Sequence, residues 1–242
     1  MIKSVLKKLI EKITGVHIFR NTLPRGCNIT RDIINLSNYY KIEIHSIFDI
    51  GANIGQTVLE FKEIFPSAQL YCFEPIRSTY DKLKKNVSHI NDINTYNMGC
   101  GSSNKSLKIQ EALRSDLFSL VQKAYENKCK KYSNISLICL DDFTSNKNIK
   151  KISILKIDTE GYDLEVLKGA HNLLKQQNIE FIQVETKISG KCNRFVQANE
   201  FVNFLEKYDY DLIGIYDQCG WHRFSPLLFC NALFMKRRNW DA

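Results

Sequence analysis

The 242-residue chain lacks the sequence features that mark several large classes of protein. It has no Pro/Gly-rich linker, low-complexity tract or internal repeat, so nothing divides it into separate units. A chain of this length fits one α/β domain. No apolar run approaches the roughly 20 residues that span a bilayer. The N-terminus has lysines but no unbroken apolar core, so it does not resemble a secretory signal, and we expect a cytoplasmic protein.

The eight cysteines also lack a recognisable pattern, because no two of them form a CxxC pair and none has the spacing of metal ligands. Cys72 and Cys139 lie in apolar, strand-like runs, where a reduced cysteine behaves as a small hydrophobic residue. We therefore expect buried thiols in a reducing compartment, and the sequence indicates no dedicated metal site.

The net charge of +8 is concentrated at the N-terminus, where residues 1–25 carry six basic residues and one acid. Apolar residues from Ile2 to Ile13 recur at helical spacing. The pattern predicts a basic amphipathic helix and lead-in over residues 1–25, followed by a single domain over residues 26–242.

Two roles fit this predicted first helix. It either packs on the domain or on a second subunit, or it contacts the inner membrane surface through residues 1–13. A nucleic-acid surface would need a broader basic stripe with interleaved aromatic residues, so we expect no nucleic-acid partner. The oligomeric state stays open.

Strand-like runs alternate with helical patterns along the chain, which favours a parallel sheet covered by helices on both faces. The last two strands lack a helix between them and indicate an antiparallel hairpin at one edge. Residues 105–140 favour β-structure and loop. The predicted strands are 46–50, 69–74, 93–98, 152–157, 180–184, 210–216 and 227–236, and the predicted helices are 30–41, 55–65, 77–87, 163–175 and 195–207. The fold class is therefore α/β with a mostly parallel, seven-stranded, Rossmann-like sheet.

A glycine loop follows the first core strand, and a lone carboxylate ends the second. Gly51 allows a sharp turn, and Gly55 allows a close approach to a ligand. Glu74 is placed to accept hydrogen bonds from both hydroxyls of a ribose. The third glycine of a dinucleotide loop and the Lys-Ser/Thr of a phosphate loop are both missing. The pattern indicates an adenosine cofactor without phosphate, and S-adenosylmethionine is the commonest such molecule.

Three further residues border this predicted cofactor site. Asp49, just before the turn, either orients the loop or reaches the amino-acid end of the cofactor. Met98 and Gly99, at the end of the third strand, either lie near the adenine or serve only for packing and turn formation.

A second polar cluster follows the fourth strand, at the edge of the sheet where doubly wound folds bind their ligands. Asp158 and Glu160 flank a threonine, and Glu185 ends the next strand. Crowded carboxylates are unfavourable unless a cation or a ligand lies between them. We interpret these three as candidate catalytic bases, with a divalent cation on the same acids as the alternative. Thr159 or Asp163 could instead merely cap the following helix.

Four residues late in the chain have two interpretations each. His222 is either a further candidate base or structural. Trp221, Tyr216 and Phe224 either form an apolar wall for a sugar or belong to the core.

The sequence resembles the FkbM family of S-adenosylmethionine-dependent methyltransferases. The segments that carry the resemblance are FDIGANIGQT, YCFEP, LDDF, ILKIDTEGYDLEVLKGA and FIQVET, and the similarity runs from about Leu23 to about Phe234. It implies a class I methyltransferase fold and transfer of a methyl group to oxygen, often on a sugar, a glycan or a related natural product. It also implies that Gly51, Ala52, Asn53 and Gly55 contact the cofactor, that Glu74 contacts its ribose, and that Asp158 lies near the reacting methyl group.

Two other functions use similar sequence features. A nucleotide-dependent oxidoreductase of the NAD type would use the same strand–loop–strand unit, but the missing third glycine argues against it. A non-catalytic adaptor at a membrane surface would have no need of Gly51, Gly55, Glu74 and Asp158 together.

Overall fold

The computed structural model describes residues 10, 12–14, 24–110, 132–189, 195–222 and 225–239. Most of the described chain is in regular elements that alternate along the sequence. The strands are β1 (Ser46–Ile50), β2 (Gln69–Phe73), β3 (Ile93–Tyr96), β4 (Gly99–Cys100), β5 (Lys105–Gln110), β6 (Tyr132–Ile138), β7 (Ile152–Ile157), β8 (Ile179–Lys187), β9 (Tyr210–Gly220) and β10 (Leu227–Lys236). The helices are α1 (Ile29–Tyr40), α2 (Gln56–Ile64), α3 (Arg77–Val87), α4 (Leu140–Asn146), α5 (Asp163–Lys168), α6 (His171–Lys175) and α7 (Ala198–Leu205), followed by a 3-10 turn at Glu206–Tyr208.

Seven strands form one sheet in the order β3-β2-β1-β7-β8-β10-β9. The five strands from β3 to β8 are parallel, whereas β10 is antiparallel to both β8 and β9. The strand order reverses between β1 and β7, so the crevice for a ligand lies at the carboxyl ends of these two strands. The predicted seven-stranded sheet with an antiparallel edge hairpin is confirmed.

The sheet is buried on both faces, as expected for a parallel sheet. One face packs against α1, α2 and α3 through a core that includes Ile33, Val58, Leu83 and Phe181. The other face packs against α4, α5, α6 and α7 through a second core. Every residue of β7 is buried, which explains why its sequence reads as an almost continuous apolar run. The two cores hold the carboxyl ends of the strands in fixed relative positions.

A small second sheet, in the order β4-β6-β5, lies beside the main one. It packs its own apolar cluster of Ile76, Ile109, Ile135 and Leu137. The β-structure predicted for 105–140 is confirmed where the chain is described, and residues 111–131 of that prediction lie outside the described residues.

The predicted helix 163–175 was wrong, because the structure has two short helices there. Helix α5 ends at Lys168, and α6 begins at His171. At Gly169 a Cβ atom would lie 2.0 Å from the carbonyl oxygen of Gly101, so the backbones touch at this point. The predicted strand 93–98 also divides, since β3 ends at Tyr96 and β4 joins the second sheet.

The predicted N-terminal helix and lead-in over residues 1–25 are described only at residues 10 and 12–14, which are helical, and at residues 24 and 25, which are not. There Ile10 is 38% exposed and Ile13 is 74% exposed. The rest of that prediction, residues 1–9, 11 and 15–23, lies outside the described residues. In the part of the chain that is described, no helix is both long and apolar enough to cross a membrane.

Candidate active site

The glycine loop after β1 is tied to both neighbouring strands. The backbone N–H groups of Gly51 and Ala52 both donate to the carbonyl oxygen of Phe73, at 2.9 Å each. Gly51 has a φ of +86°, and a Cβ atom there would lie 1.9 Å from the carbonyl oxygen of Asp158. Only glycine fits such a position, because it combines a left-handed backbone with contact against a second strand. The loop therefore brings the predicted cofactor site directly against the predicted catalytic cluster.

Glu74 follows β2 and is held by the backbone on both of its oxygens. Its Oε1 accepts a hydrogen bond from the N–H of Ile76 at 2.8 Å, and its Oε2 accepts one from the N–H of Asn53 at 3.2 Å. The side chain is buried, and this burial raises the pKa of Glu74 to about 7. Each carboxylate oxygen can still accept another hydrogen bond, so the geometry suits a ligand that offers two hydroxyl donors.

Two buried acceptors beside the glycine loop lack a protein partner within the described structure. They are Oδ2 of Asp49 and Oδ1 of Asn53. Buried polar atoms without a partner are rare, and at a binding site they indicate a ligand that donates hydrogen bonds. The ammonium and hydroxyl groups of S-adenosylmethionine supply such donors. The residues present therefore fit the cofactor that the sequence predicts.

Met98 and Gly99 follow β3 in the chain. Met98 is partly buried against the core. Gly99 begins β4, and a Cβ atom there would lie 2.7 Å from Cδ2 of Leu137. Packing alone accounts for the glycine, and contact of these two residues with the adenine stays a prediction.

Asp158, Glu160 and Glu185 come together at the carboxyl edge of β7 and β8, as predicted. One carboxylate oxygen from each lies within 4.8 Å of the others, and all three residues are partly exposed. Their meeting follows from the parallel pairing of β7 with β8, which places the ends of both strands at one edge. Three negative charges at this separation repel one another, so a shared proton or a bound cation would stabilise them. The arrangement can accept a proton from a hydroxyl group.

The loop that carries Glu160 is held by a buried carboxylate. Oδ2 of Asp163 accepts hydrogen bonds from Oγ1 of Thr159 at 2.7 Å and from the N–H of Gly161 at 3.2 Å. Burial raises the pKa of Asp163 to about 6. The interpretation of Thr159 or Asp163 as a helix cap was wrong, because Tyr162 is the N-cap of α5 and no side chain caps it. Asp163 instead stabilises its own loop through the hydrogen bonds from Thr159 and Gly161.

Sequence reasoning did not assign a role to Lys156, the one charged residue in β7. Its Nζ donates to Oδ1 of Asp49 at 3.0 Å and to Oδ2 of Asp158 at 3.3 Å. Burial raises the pKa of Asp49, although the ammonium group partly opposes this effect. The signal in the sequence was a lysine inside a mostly apolar strand.

Tyr216 and Trp221, the late aromatic residues that the structure describes, do not form one surface. Tyr216 is buried, and its hydroxyl donates to Oδ2 of Asp32 at 2.9 Å, so it belongs to the core and not to a sugar-binding wall. Trp221 is 71% exposed, and His222 lies next to it on the exposed turn after β9. Phe224 lies outside the described residues.

Curated methyltransferases resemble this chain over part of their length. The methyltransferase sdnD of Sordaria araneosa is 28% identical in an alignment 192 residues long, and the match covers 66% of this chain and 70% of sdnD. The hexuronic acid methyltransferase AglP of Haloferax volcanii is 24% identical over 66% of this chain and 64% of AglP. The 2-O-methyltransferase NoeI of Sinorhizobium fredii is 22% identical over 53% of this chain and 58% of NoeI. The chain thus spans between 58% and 70% of the lengths of these relatives.

The solved structure of the METTL16 methyltransferase domain has the same fold. It aligns with a TM-score of 0.50 at 11% identity, over 97% of this chain and 79% of that domain. Residues 49–212, which include the glycine loop, Glu74 and the carboxylate cluster, match the methyltransferase FkbM domain. The protein is therefore a class I, S-adenosylmethionine-dependent methyltransferase, and it belongs to the FkbM family.

Proposed function

We propose that this enzyme transfers a methyl group to a hydroxyl oxygen of a sugar, as part of a glycan or a related natural product. One observation carries the proposal: three carboxylates converge within 4.8 Å of one another, at the same edge of the sheet as the glycine loop. A sugar hydroxyl is a poor nucleophile at neutral pH, and it needs a proton acceptor at this point.

The site residues have distinct roles in this mechanism. S-adenosylmethionine supplies a methyl group on a sulfonium, which is already an activated donor. Glu74 accepts hydrogen bonds from the ribose hydroxyls. The free oxygens of Asp49 and Asn53 accept hydrogen bonds from other donors of the cofactor. The protein then has mainly to align the acceptor oxygen with the methyl carbon.

Asp158 is the proposed general base, because its backbone contacts the turn at Gly51. As the acceptor oxygen bonds to the methyl carbon and the carbon–sulfur bond breaks, the hydroxyl proton passes to the carboxylate of Asp158. The products are a methyl ether and S-adenosylhomocysteine. Glu160 and Glu185, in the same cluster, accept hydrogen bonds from neighbouring sugar hydroxyls and so orient the acceptor.

The names of two relatives support the proposal, one through the kind of acceptor and one through the acceptor atom. AglP is named for hexuronic acid, and NoeI for 2-O-methylation. The FkbM assignment argues against the oxidoreductase alternative. The convergence of the carboxylates beside the cofactor loop argues against a non-catalytic adaptor.

The test measures release of S-adenosylhomocysteine with a panel of p-nitrophenyl glycosides, including a glucuronide, a galacturonide, a glucoside and a xyloside. We expect turnover with at least one member, and a loss of about 10²-fold or more in Asp158→Asn with little change in cofactor affinity. Glu63→Gln, an exposed carboxylate on α2, is the matched control. Full turnover of Asp158→Asn would contradict its role as the base.

A divalent cation is the alternative way to stabilise the three carboxylates, because hard cations take oxygen ligands. The same assay in EDTA, and after addition of Mg²⁺, distinguishes the two mechanisms. Activity that survives EDTA supports direct proton transfer to Asp158. Activity that is lost in EDTA and restored by Mg²⁺ would move the three acids to a metal-binding role.

We further propose that residues 1–13 contact an anionic membrane surface. Ile10 and Ile13 are three residues apart on a helix and are both exposed, whereas the lysines of this segment can face anionic headgroups. Flotation with phosphatidylglycerol vesicles should recover the protein, and phosphatidylcholine vesicles should not. The double variant Ile10→Ser/Ile13→Ser should lose this association. If the double variant floats as well as the wild type, the helix instead packs on the domain or on a second subunit.

A further inference from the structure

Lys156 places a full positive charge inside the core of the sheet. It lies in β7, between Leu155 and Ile157, and is only 6% exposed. Burying an ammonium group is unfavourable unless carboxylates pair with it, and an apolar pair of similar volume is often as stable. Stability alone therefore gives no reason for a lysine here.

The ammonium group lies between the two halves of the active site. On one side it donates to Oδ1 of Asp49, which is 1% exposed and sits directly opposite Lys156 in the β1–β7 pairing. On the other side it donates to Oδ2 of Asp158, whose side chain is 41% exposed. Asp49 borders the cofactor loop, and Asp158 belongs to the carboxylate cluster.

We propose that Lys156 is a positioning residue for methyl transfer, and that it fixes the carboxylates of Asp49 and Asp158 relative to each other. This inference rests on the proposed role of Asp158 as the base. With Oδ2 of Asp158 held by Lys156, the other oxygen is the one that accepts the proton of the acceptor hydroxyl. With Oδ1 of Asp49 held in the same way, its free Oδ2 faces a cofactor donor. One side chain thereby sets the distance between the base and the methyl donor.

Removal of the ammonium group should misplace the base. In Lys156→Met the apolar stem remains, but Asp158 loses its buried partner and gains rotational freedom. A displacement of about 1 Å at a reacting group lowers turnover by about 10²-fold. We expect kcat to fall by about 10- to 100-fold, and cofactor affinity to weaken as well, because Asp49 is released from the same contact.

A crystal structure of Lys156→Met with S-adenosylhomocysteine tests the positioning without any acceptor. We expect the carboxylate of Asp158 to be displaced from the position it has in the wild-type complex. An unmoved carboxylate overturns the proposal. Should this variant fail to fold, Lys156→Gln serves instead, since its amide keeps a donor for Asp49 but lacks the length and charge to hold Asp158.

Kinetics with the fastest glycoside of the panel then separates the two proposals. Asp158→Asn should lower kcat by about 10²-fold or more in the wild type, but by no more than about tenfold in the Lys156→Met background, because the effects of residues that act together are not additive. If the loss of kcat in the double variant equals the product of the two single losses, Lys156 has a structural role only. Full activity of Asp158→Asn in the wild type would refute the base itself, independently of Lys156. Lys168→Met, a lysine on the exposed side of α5, is the control and should leave kcat unchanged.

Discussion

Glu74 should make the stability of the cofactor-free enzyme depend on pH in an unusual direction. The perturbation is Glu74→Gln, which keeps the shape of the side chain and removes its charge. Because burial raises the pKa of Glu74 to about 7, the folded protein retains a proton on this carboxyl at pH values where the unfolded chain has released it. Raising the pH through this window therefore favours unfolding.

The size of the effect follows from the two pKa values. The carboxyl group titrates at its ordinary value of 4.5 in the unfolded chain and at about 7 in the folded protein. Between these values the free energy of unfolding falls by about 1.4 kcal/mol per pH unit, which gives about 3 kcal/mol in total. This stability is present below pH 4.5 and is lost as the pH rises to about 7.

Urea denaturation of both proteins from about pH 5 to about pH 8 measures this contribution. The amide NH2 group of the glutamine must face the backbone N–H of either Ile76 or Asn53, which gives a constant offset, so the comparison uses the pH dependence of the difference and not its absolute value. Other titrating groups, including Asp163, are common to both proteins and cancel. A difference between the two proteins that does not change over this range would refute the argued burial of the charge.

The same substitution reports on the cofactor. Ribose hydroxyls donate to the ionised carboxylate, so the affinity of the wild type for S-adenosylmethionine should rise as the pH passes from below to above about 7. Hydrogen bonds to charged groups contribute about 1.5–3 kcal/mol each, so Glu74→Gln should bind at least about tenfold more weakly and without this pH dependence. Titration calorimetry measures both. Equal binding by the two proteins would remove Glu74 from the cofactor site.

Two further predictions concern the frame around the site. Gly51→Ala should cost much more stability than Gly26→Ala, since both glycines have φ near +90° but only the first would drive a Cβ atom into a neighbouring strand; similar losses of Tm in the two variants would contradict this. Tyr216→Phe should lower the free energy of unfolding by about 1–3 kcal/mol, because Asp32 loses a buried hydrogen bond, and urea denaturation that showed no change would contradict it.

The sequence predicted best the elements whose burial shows in the local pattern. Strands β7 and β10 and helix α3 have the predicted bounds. Burial on both faces makes a strand a nearly continuous apolar run, and burial on one face makes the apolar residues of a helix periodic. The break at Gly169 could not be predicted in this way. It depends on contact with Gly101, which is distant in sequence and leaves no periodic signal.

The same distinction between local and distant signals decides which residues of the candidate site could be predicted. Residues at the ends of parallel strands meet at one edge, so Asp158 and Glu185 could be placed together from their positions after apolar runs. The role of Lys156 could not, since it depends on the register that sets this residue opposite Asp49. Likewise, the hydrogen-bond partner of Tyr216 is Asp32, which is distant in the sequence. Local spacing therefore could not show whether Tyr216 belongs to the core or to a binding surface.

The position of β10 has a consequence for biosynthesis. This strand follows β9 in the chain, yet it lies inside the sheet, between β8 and β9. While a ribosome is still making residues 227–236, β8 therefore presents an unpaired edge and β9 has no neighbour, so the nascent protein carries open strand edges that favour aggregation. The sheet is complete only when β10 emerges from the ribosome and inserts between β8 and β9. Chains interrupted shortly before Leu227 should consequently depend on chaperones, although their catalytic residues have already been made.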